Sequence, residues 1–284
     1  MSMDAKNKAL GWRPVLLLIL DGWGCNETEA QQPLAAASTP HWDWLRASFP
    51  YSEAAATGPW LGLPENWPGS CEWGHFLIGT GRRGAHPYLL VEEALGEGSS
   101  LGSEEVVRFL QRAHREGRRL HLWGLTSNGR VHSVERHSWA LLERARQAGF
   151  SGEQVLFHAV TDGWDTPPRS AIGYLARVAA QSLVLGVGRL ASLCGRAYSL
   201  GPPSVRARRE DAHRLLRFGE GRLADTFSQA LQTAYQQGQE DMLLAPTVLL
   251  GREGYPVGHL EEGDLLLCFH FQPLRAHAFL KSLA

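Results

Sequence analysis

Five short, largely apolar runs limit what this chain can fold into: PVLLLIL (14–20), RLHLWGL (119–125), QVLFHAV (154–160), VGRLASL (187–193) and DLLLCFHF (264–271). Runs of this length, bounded by turn residues, are strands. Helical segments separate the last four: 134–148, ended by Gly149; Pro168 to about Ser182; 206–218; and 223–237, with a further helix over 273–283. Ser103 opens an earlier helix with Glu104 and Glu105 in its first turn, where the helix dipole favours acids. Strands alternating with helices predict an α/β fold with a doubly wound sheet.

The first run stands apart. PVLLLIL is apolar at every position, the pattern of a strand buried on both faces of a parallel sheet. It ends at Asp21-Gly22, which sets a carboxylate at the carboxyl end of the strand, where open α/β sheets bind ligands. Ser38-Thr39-Pro40 opens one short helix through Trp42 and Leu45, and residues 58–74, rich in Gly, Pro and Trp, read as loop. Seven of the ten tryptophans fall within the first 75 residues, around this lone strand. Either the strand docks on the later sheet, as the pattern alone favours, or its sheet partners are not in this chain.

Composition removes several classes of function. With 28 Lys+Arg against 29 Asp+Glu, the net charge of −1 leaves no electrostatic basis for nucleic-acid binding. At 44% hydrophobic residues the chain is too apolar to be disordered. Cys25, Cys71, Cys194 and Cys268 form no CxxC pair, so neither a zinc cluster nor a disulfide scaffold is expected, and a reducing cytoplasm is. No stretch reaches the roughly 20 apolar residues that span a bilayer. The run at 14–20 is shorter than a secretory core and ends at Asp21, so no signal peptide is expected.

Three places hold residues capable of chemistry. Asp21 and Cys71 are the first, Cys71 lying in the glycine-flanked Gly69-Ser70-Cys71-Glu72-Trp73-Gly74-His75; the thiol is either an activated nucleophile or metal ligand, or a small hydrophobe. His132, in NGRVHS after the strand at 119–125, is either a ligand contact or a residue at a helix start. Asp162 and Asp165, in TDGWDTPPRS, either bind substrate hydroxyls or cap the next helix. Spacing alone does not separate these alternatives.

In order along the chain, the runs PVLLLILDGWG (14–24), STPHWDWL (38–45), GSCEWGHFLIGTGR (69–82), LHLWGLTSNGRVHS (120–133), FHAVTDGWDTPPRSAIGYL (157–175), GVGRLASLCGRAYSL (186–200), APTVLL (245–250) and FHFQPLRA (269–276) resemble the cofactor-independent phosphoglycerate mutase family of the alkaline phosphatase superfamily. The resemblance implies interconversion of 3-phosphoglycerate and 2-phosphoglycerate through an enzyme-bound phosphoryl group. It also implies two manganese or other divalent ions in a phosphatase domain, and an inserted transferase domain that holds substrate. On that basis residues 1–80 are a fragment of the phosphatase-like domain, strand and nucleophile loop, and 81–284 are the transferase domain. Asp21 matches a metal-binding Asp, and Cys71 stands at the position of the metal-contacting nucleophilic serine. His132, Asp165, Arg196 and Arg275 match substrate-contacting positions.

The departures from the family pattern are large. Trp164, Pro202 and Gln272 stand where the resemblance implies substrate-binding arginines. None offers a guanidinium fork, and each lost charge-assisted bond costs about 1.5–3 kcal/mol. A cysteine thiolate is a softer ligand than an alkoxide and holds Mn²⁺ less well. The resemblance implies a chain nearly twice as long, with further phosphatase-sheet strands, a lysine and the remaining metal ligands outside these 284 residues. Three readings follow: a mutase-like protein inactive by itself, half of a split enzyme completed by a second polypeptide, or a non-catalytic module that binds a phosphorylated or carboxylated metabolite.

Overall fold

The structure is a computed structural model that describes residues 14–23, 36–96, 103–201, 206–271 and 273–283. The chain divides into two compact units, Met1–Ala55 and Ala56–Ala284.

In the first unit, helix α1 (Pro40–Ser48) starts with Pro40 in its first turn, as its sequence predicts, and buries none of its residues. Its tryptophans instead meet other aromatics: Trp42 lies edge-on to Trp23 at 5.5 Å and Trp44 to Phe49 at 5.3 Å. Residues 14–20 are not a strand. Exposure runs from 92% at Val15 to 43% at Ile19. This differs from the buried strand expected there. A strand forms only where neighbours accept its backbone hydrogen bonds and cover its faces, and an apolar run specifies that need without supplying it.

The second unit begins with a 3₁₀ turn (Gly58–Leu61) and helix α2 (Cys71–Thr80). The expected loop over 58–74 therefore ends at Cys71. Ser70 caps α2, its hydroxyl accepting from Trp73 N at 3.2 Å. Gly81, in a left-handed conformation, closes it. Helices α3 (Pro87–Leu95) and α4 (Ser103–Arg115) follow. Then comes β1 (Leu120–Leu125), α5 (Glu135–Gln147), β2 (Gly152–Thr161), α6 (Ala171–Leu185) and β3 (Val187–Gly195). A one-turn helix α7 (Arg196–Ser199), α8 (Arg206–Phe218), β4 (Arg222–Ala224) and α9 (Phe227–Gln236) lead to a 3₁₀ turn (Asp241–Leu243). Last are β5 (Thr247–Leu249), β6 (Leu265–Cys268) and α10 (Pro273–Leu283).

The six strands form one sheet in the order β4-β5-β3-β2-β1-β6, parallel except for the β3–β5 pair. Alternate residues serve opposite faces. Leu120 and Leu122 of β1 join Val155, Phe157 and Ala159 of β2 in a core shared with α5 and α6, while Trp123, Leu125, Val160 and Cys194 face Leu215 and Leu216 of α8 and Phe279 of α10. Helices thus cover both faces, and the doubly wound α/β class read from the sequence holds. The short β4 and β5 lay outside the predicted strands.

Candidate functional site

Because β1, β2 and β3 run parallel, their carboxyl ends come out on one edge of the sheet, and each delivers a polar residue there. β1 passes into Ser127, β2 into Asp162 and β3 into Arg196. Asp162, 2% exposed, is the hub of the group. Its Oδ2 accepts from Ser127 Oγ at 2.6 Å. Its Oδ1 accepts from the backbone N–H groups of Trp164 and Asp165, each at 3.1 Å, and from Arg196 Nη1 at 2.6 Å. One carboxylate therefore shapes the turn that carries Asp165 and aims the guanidinium beside it.

The same Arg196 Nη1 donates to Asp165 Oδ2 at 3.0 Å. Arg196 Nη2 lies 2.8 Å from His132 Nδ1, which is itself 2.5 Å from Asp165 Oδ2. Nδ1 either carries a proton toward Asp165 or accepts one from Arg196, so the triangle couples the histidine tautomer to the two charged neighbours. Burial pushes the Asp165 carboxyl up, but the hydrogen bond from His132 and the charge of Arg196 outweigh it and hold the group below its usual range. The imidazole of His270 lies nearly parallel to that of His132, with centroids 5.7 Å apart, and Phe271 N donates to the His132 carbonyl at 3.1 Å. In this way the segment after β6 closes against the site.

Two backbone features let the loops approach. A Cβ on Gly129 would sit 2.4 Å from the Cβ of Asp165, so only glycine fits there. Arg130 follows with φ +66°, a left-handed turn rarely taken by a side-chain-bearing residue, and its N–H bonds the Ser133 carbonyl at 3.0 Å.

Of the residues proposed from the sequence, His132, Asp165 and Arg196 are joined in one cluster. Arg275 is tied instead to the Leu200 carbonyl, to which its Nη1 donates at 3.1 Å. Trp164 is 73% exposed beside this buried group. Pro202 and Gln272 lie outside the described residues, as does Cys25. Asp162 appeared in the sequence as one of a pair of acids with an undecided role. Ser127 and Gly129 were missed; the one available signal was their place directly after a strand.

Asp21 lies in the first unit, exposed, in a turn where Trp23 N donates to the Leu20 carbonyl at 3.2 Å. Cys71 lies in the second unit as the first residue of α2, exposed, its Sγ 3.7 Å from His75 Nδ1 one turn on. Gly69 sets this turn, since a Cβ there would come within 2.2 Å of the Ala56 carbonyl oxygen. Trp73 anchors the helix, its Nε1 donating to the Leu61 carbonyl at 2.9 Å. A thiol is a softer ligand than the oxygen donors that Mn²⁺ prefers.

Comparison with known proteins gives this geometry a context. The sequence model for the family described as BPG-independent PGAM N-terminus matches residues 91–284. A 2,3-bisphosphoglycerate-independent phosphoglycerate mutase from Desulforudis audaxviator is 35% identical over 269 residues, covering 95% of this chain and 52% of the relative. One from Myxococcus xanthus is 36% identical over 271 residues, with the same two coverages. Among solved structures, one described as Leishmania mexicana phosphoglycerate mutase at low cobalt concentration matches with a TM-score of 0.78 and 27% identity, over 88% of this chain and 47% of that one. The chain spans about half the length of the curated relatives it matches.

Proposed function

The chain belongs to the BPG-independent phosphoglycerate mutase family, and from that premise we propose that residues 81–284 are its substrate-holding domain, built to handle a phosphoglycerate, while residues 1–80 are a fragment of the phosphatase-like domain. The observation that carries this reading is the convergence of His132, Asp165 and Arg196 at the carboxyl ends of three parallel strands. A buried carboxylate and imidazole suit the hydroxyls of a glycerate, and the guanidinium suits its charged groups. In the family reaction the phosphoryl group passes to an enzyme nucleophile and back, converting 3-phosphoglycerate to 2-phosphoglycerate. Cys71 stands at the nucleophile's position, and Arg275 at a further substrate position.

We propose that this chain by itself does not turn the substrate over. Arg196 is already shared between Asp162 and Asp165, and three expected arginines are Trp164, Pro202 and Gln272. The divalent metal of the family, assigned by resemblance to Asp21 and to Cys71, supplies charge to the phosphoryl oxygens when bound. The thiol argues for an ion softer than manganese in that role. A cytoplasmic location is part of this reading.

A second reading rests on the exposed apolar residues 14–20. Such a run is suited to the interior of a parallel sheet, and a second polypeptide that completes the phosphatase-like domain would supply one. One assay separates the readings: the purified chain with Mn²⁺ or Co²⁺ and 3-phosphoglycerate, with and without a complementing phosphatase-domain polypeptide. No 2-phosphoglycerate from the chain alone is the expected result. Product only on complementation supports the split enzyme, binding without product in either arm supports a non-catalytic module, and turnover by the chain alone overturns the proposal.

A further inference from the structure

We propose that Asp241, far from the site in sequence, is the residue that positions it: the Asp241–Leu244 segment is the template against which the Asp162–Asp165 loop and Arg196 are set.

Asp241 is fully buried, with no exposed surface through which to touch a ligand. Its carboxylate takes the place of a local helix cap, because Ser170, at the N-cap of α6, makes no side-chain cap bond there. Asp241 Oδ2 accepts from Ser170 N at 2.8 Å and from Ala171 N at 2.9 Å, across about 70 residues of chain. Oδ1 accepts from the Tyr235 hydroxyl. The backbone of the same residue holds the other parts of the loop. Asp241 N donates to the Pro168 carbonyl at 2.8 Å, and the Asp241 carbonyl accepts from Thr161 Oγ1 at 2.7 Å. One residue therefore grips the loop at its start, Thr161, and at its end, Pro168 to Ala171.

The next residues reach Arg196 in the same way. Gly195 N donates to the Leu244 carbonyl at 2.8 Å. A Cβ on Gly195 would lie 2.4 Å from the Met242 carbonyl oxygen, and one on Gly163 would lie 2.8 Å from Met242 N. Both glycines are thus the close-approach points at which the site's two loops rest on one segment. A buried carboxylate must be hydrogen-bonded, and two of the three donors here, Ser170 N and Ala171 N, come from the end of the loop that carries the site. The inference rests on the cluster being the functional site; the role assigned to Asp241 is positional, not catalytic.

The test uses the full chain labelled with ¹⁵N-histidine, and reads the ring nitrogens of His132 against those of His121 and His158, which lie within the sheet on β1 and β2. Asp241→Ala is expected to move the His132 signals while leaving His121 and His158 in place. Asp241→Asn is expected to restore them, since its carbonyl accepts from Ser170 and Ala171 and its amide donates to the Tyr235 oxygen. Thr161→Val removes the 2.7 Å bond to the Asp241 carbonyl, together with a longer 3.3 Å contact to the Cys194 carbonyl, and leaves the Asp241 carboxylate in place; it is expected to move His132 in the same direction by less, which keeps the test decisive if the alanine variant does not fold. Unmoved His132 signals in a folded Asp241→Ala or in Thr161→Val would overturn the inference, as would failure of Asp241→Asn to restore them. No ligand is needed for this readout. A failure of 3-phosphoglycerate to bind the unaltered chain bears on the proposed function and leaves this result standing.

Discussion

At the scale of single residues, the site is a charge balance closed by one guanidinium. Arg196 is 7% exposed and serves two buried carboxylates, so removing it takes the guanidinium counter-charge from both. Breaking a buried pair in this way costs about 3–5 kcal/mol, and Arg196→Ala is expected to lower the denaturation midpoint by a corresponding amount. A midpoint within experimental error of the unaltered chain would show that the guanidinium does not hold the two carboxylates. Trp164 is the opposite case. It is 73% exposed, so Trp164→Arg is expected to change stability by less than about 0.5 kcal/mol. By supplying a cation next to Asp165, the same variant is expected to strengthen binding of 3-phosphoglycerate in calorimetry. Binding that weakens or does not change would argue against an anionic ligand. His132, Asp165 and Arg196 were legible because they sit in motif runs that follow strands. Asp241 was not, because the backbone donors that tie it to the site, Ser170 and Ala171, are about 70 residues away and no local pattern joins them.

At the scale of elements, the sheet carries a polar line across its middle. Ser192 on β3, His158 on β2, His121 on β1 and Asp264 just before β6 are linked at 2.8, 2.8 and 3.0 Å. The Asp264 carboxylate must accept, so His121 Nε2 carries its proton, His121 Nδ1 accepts from His158 Nε2–H, and His158 Nδ1 accepts from the Ser192 hydroxyl. Burial, only partly offset by Asp264, lowers the pKa of His121. Burial above all, with the positive charge of Arg119, holds His158 well below its usual range. Both rings are neutral in the folded chain, whereas in the unfolded chain they take up protons near pH 6.5. Stability from this pair is therefore complete above about pH 6.5 and falls as pH drops below it, by up to about 1.4 kcal/mol per pH unit for each ring. His158→Gln is expected to flatten the pH dependence of the urea midpoint between about pH 5 and 6.5. Identical slopes in the two proteins would show that the pair does not set it. Most elements could be read directly from apolar runs and helix ends. β4 and β5, three residues each, were too short to leave a pattern, and α2 was hidden in a Gly- and Trp-rich stretch.

At the scale of the whole molecule, a well-covered sheet and an uncovered apolar run belong to one chain. Residues 14–20 look like an interior strand in sequence and are exposed in the structure, because periodicity records what a segment needs and not whether its neighbours are present. Hydrogen exchange is expected to find amides 15–20 unprotected in the isolated chain while those of β1 and β2 are strongly protected. Equal protection of the two regions would mean that the run already has a sheet. The family assignment, by contrast, was carried by motifs from both regions and agrees with the matched family model over residues 91–284.

A phosphoglycerate site at the ends of β1, β2 and β3 has a direct consequence for His132. A titration of the ¹⁵N-histidine-labelled chain with 3-phosphoglycerate tests it directly. The expected result is a saturable movement of the His132 ring signals, with the weak affinity of a site short of arginines, while those of His121 and His158 stay in place. His132 signals that do not move at a large excess of 3-phosphoglycerate would contradict it.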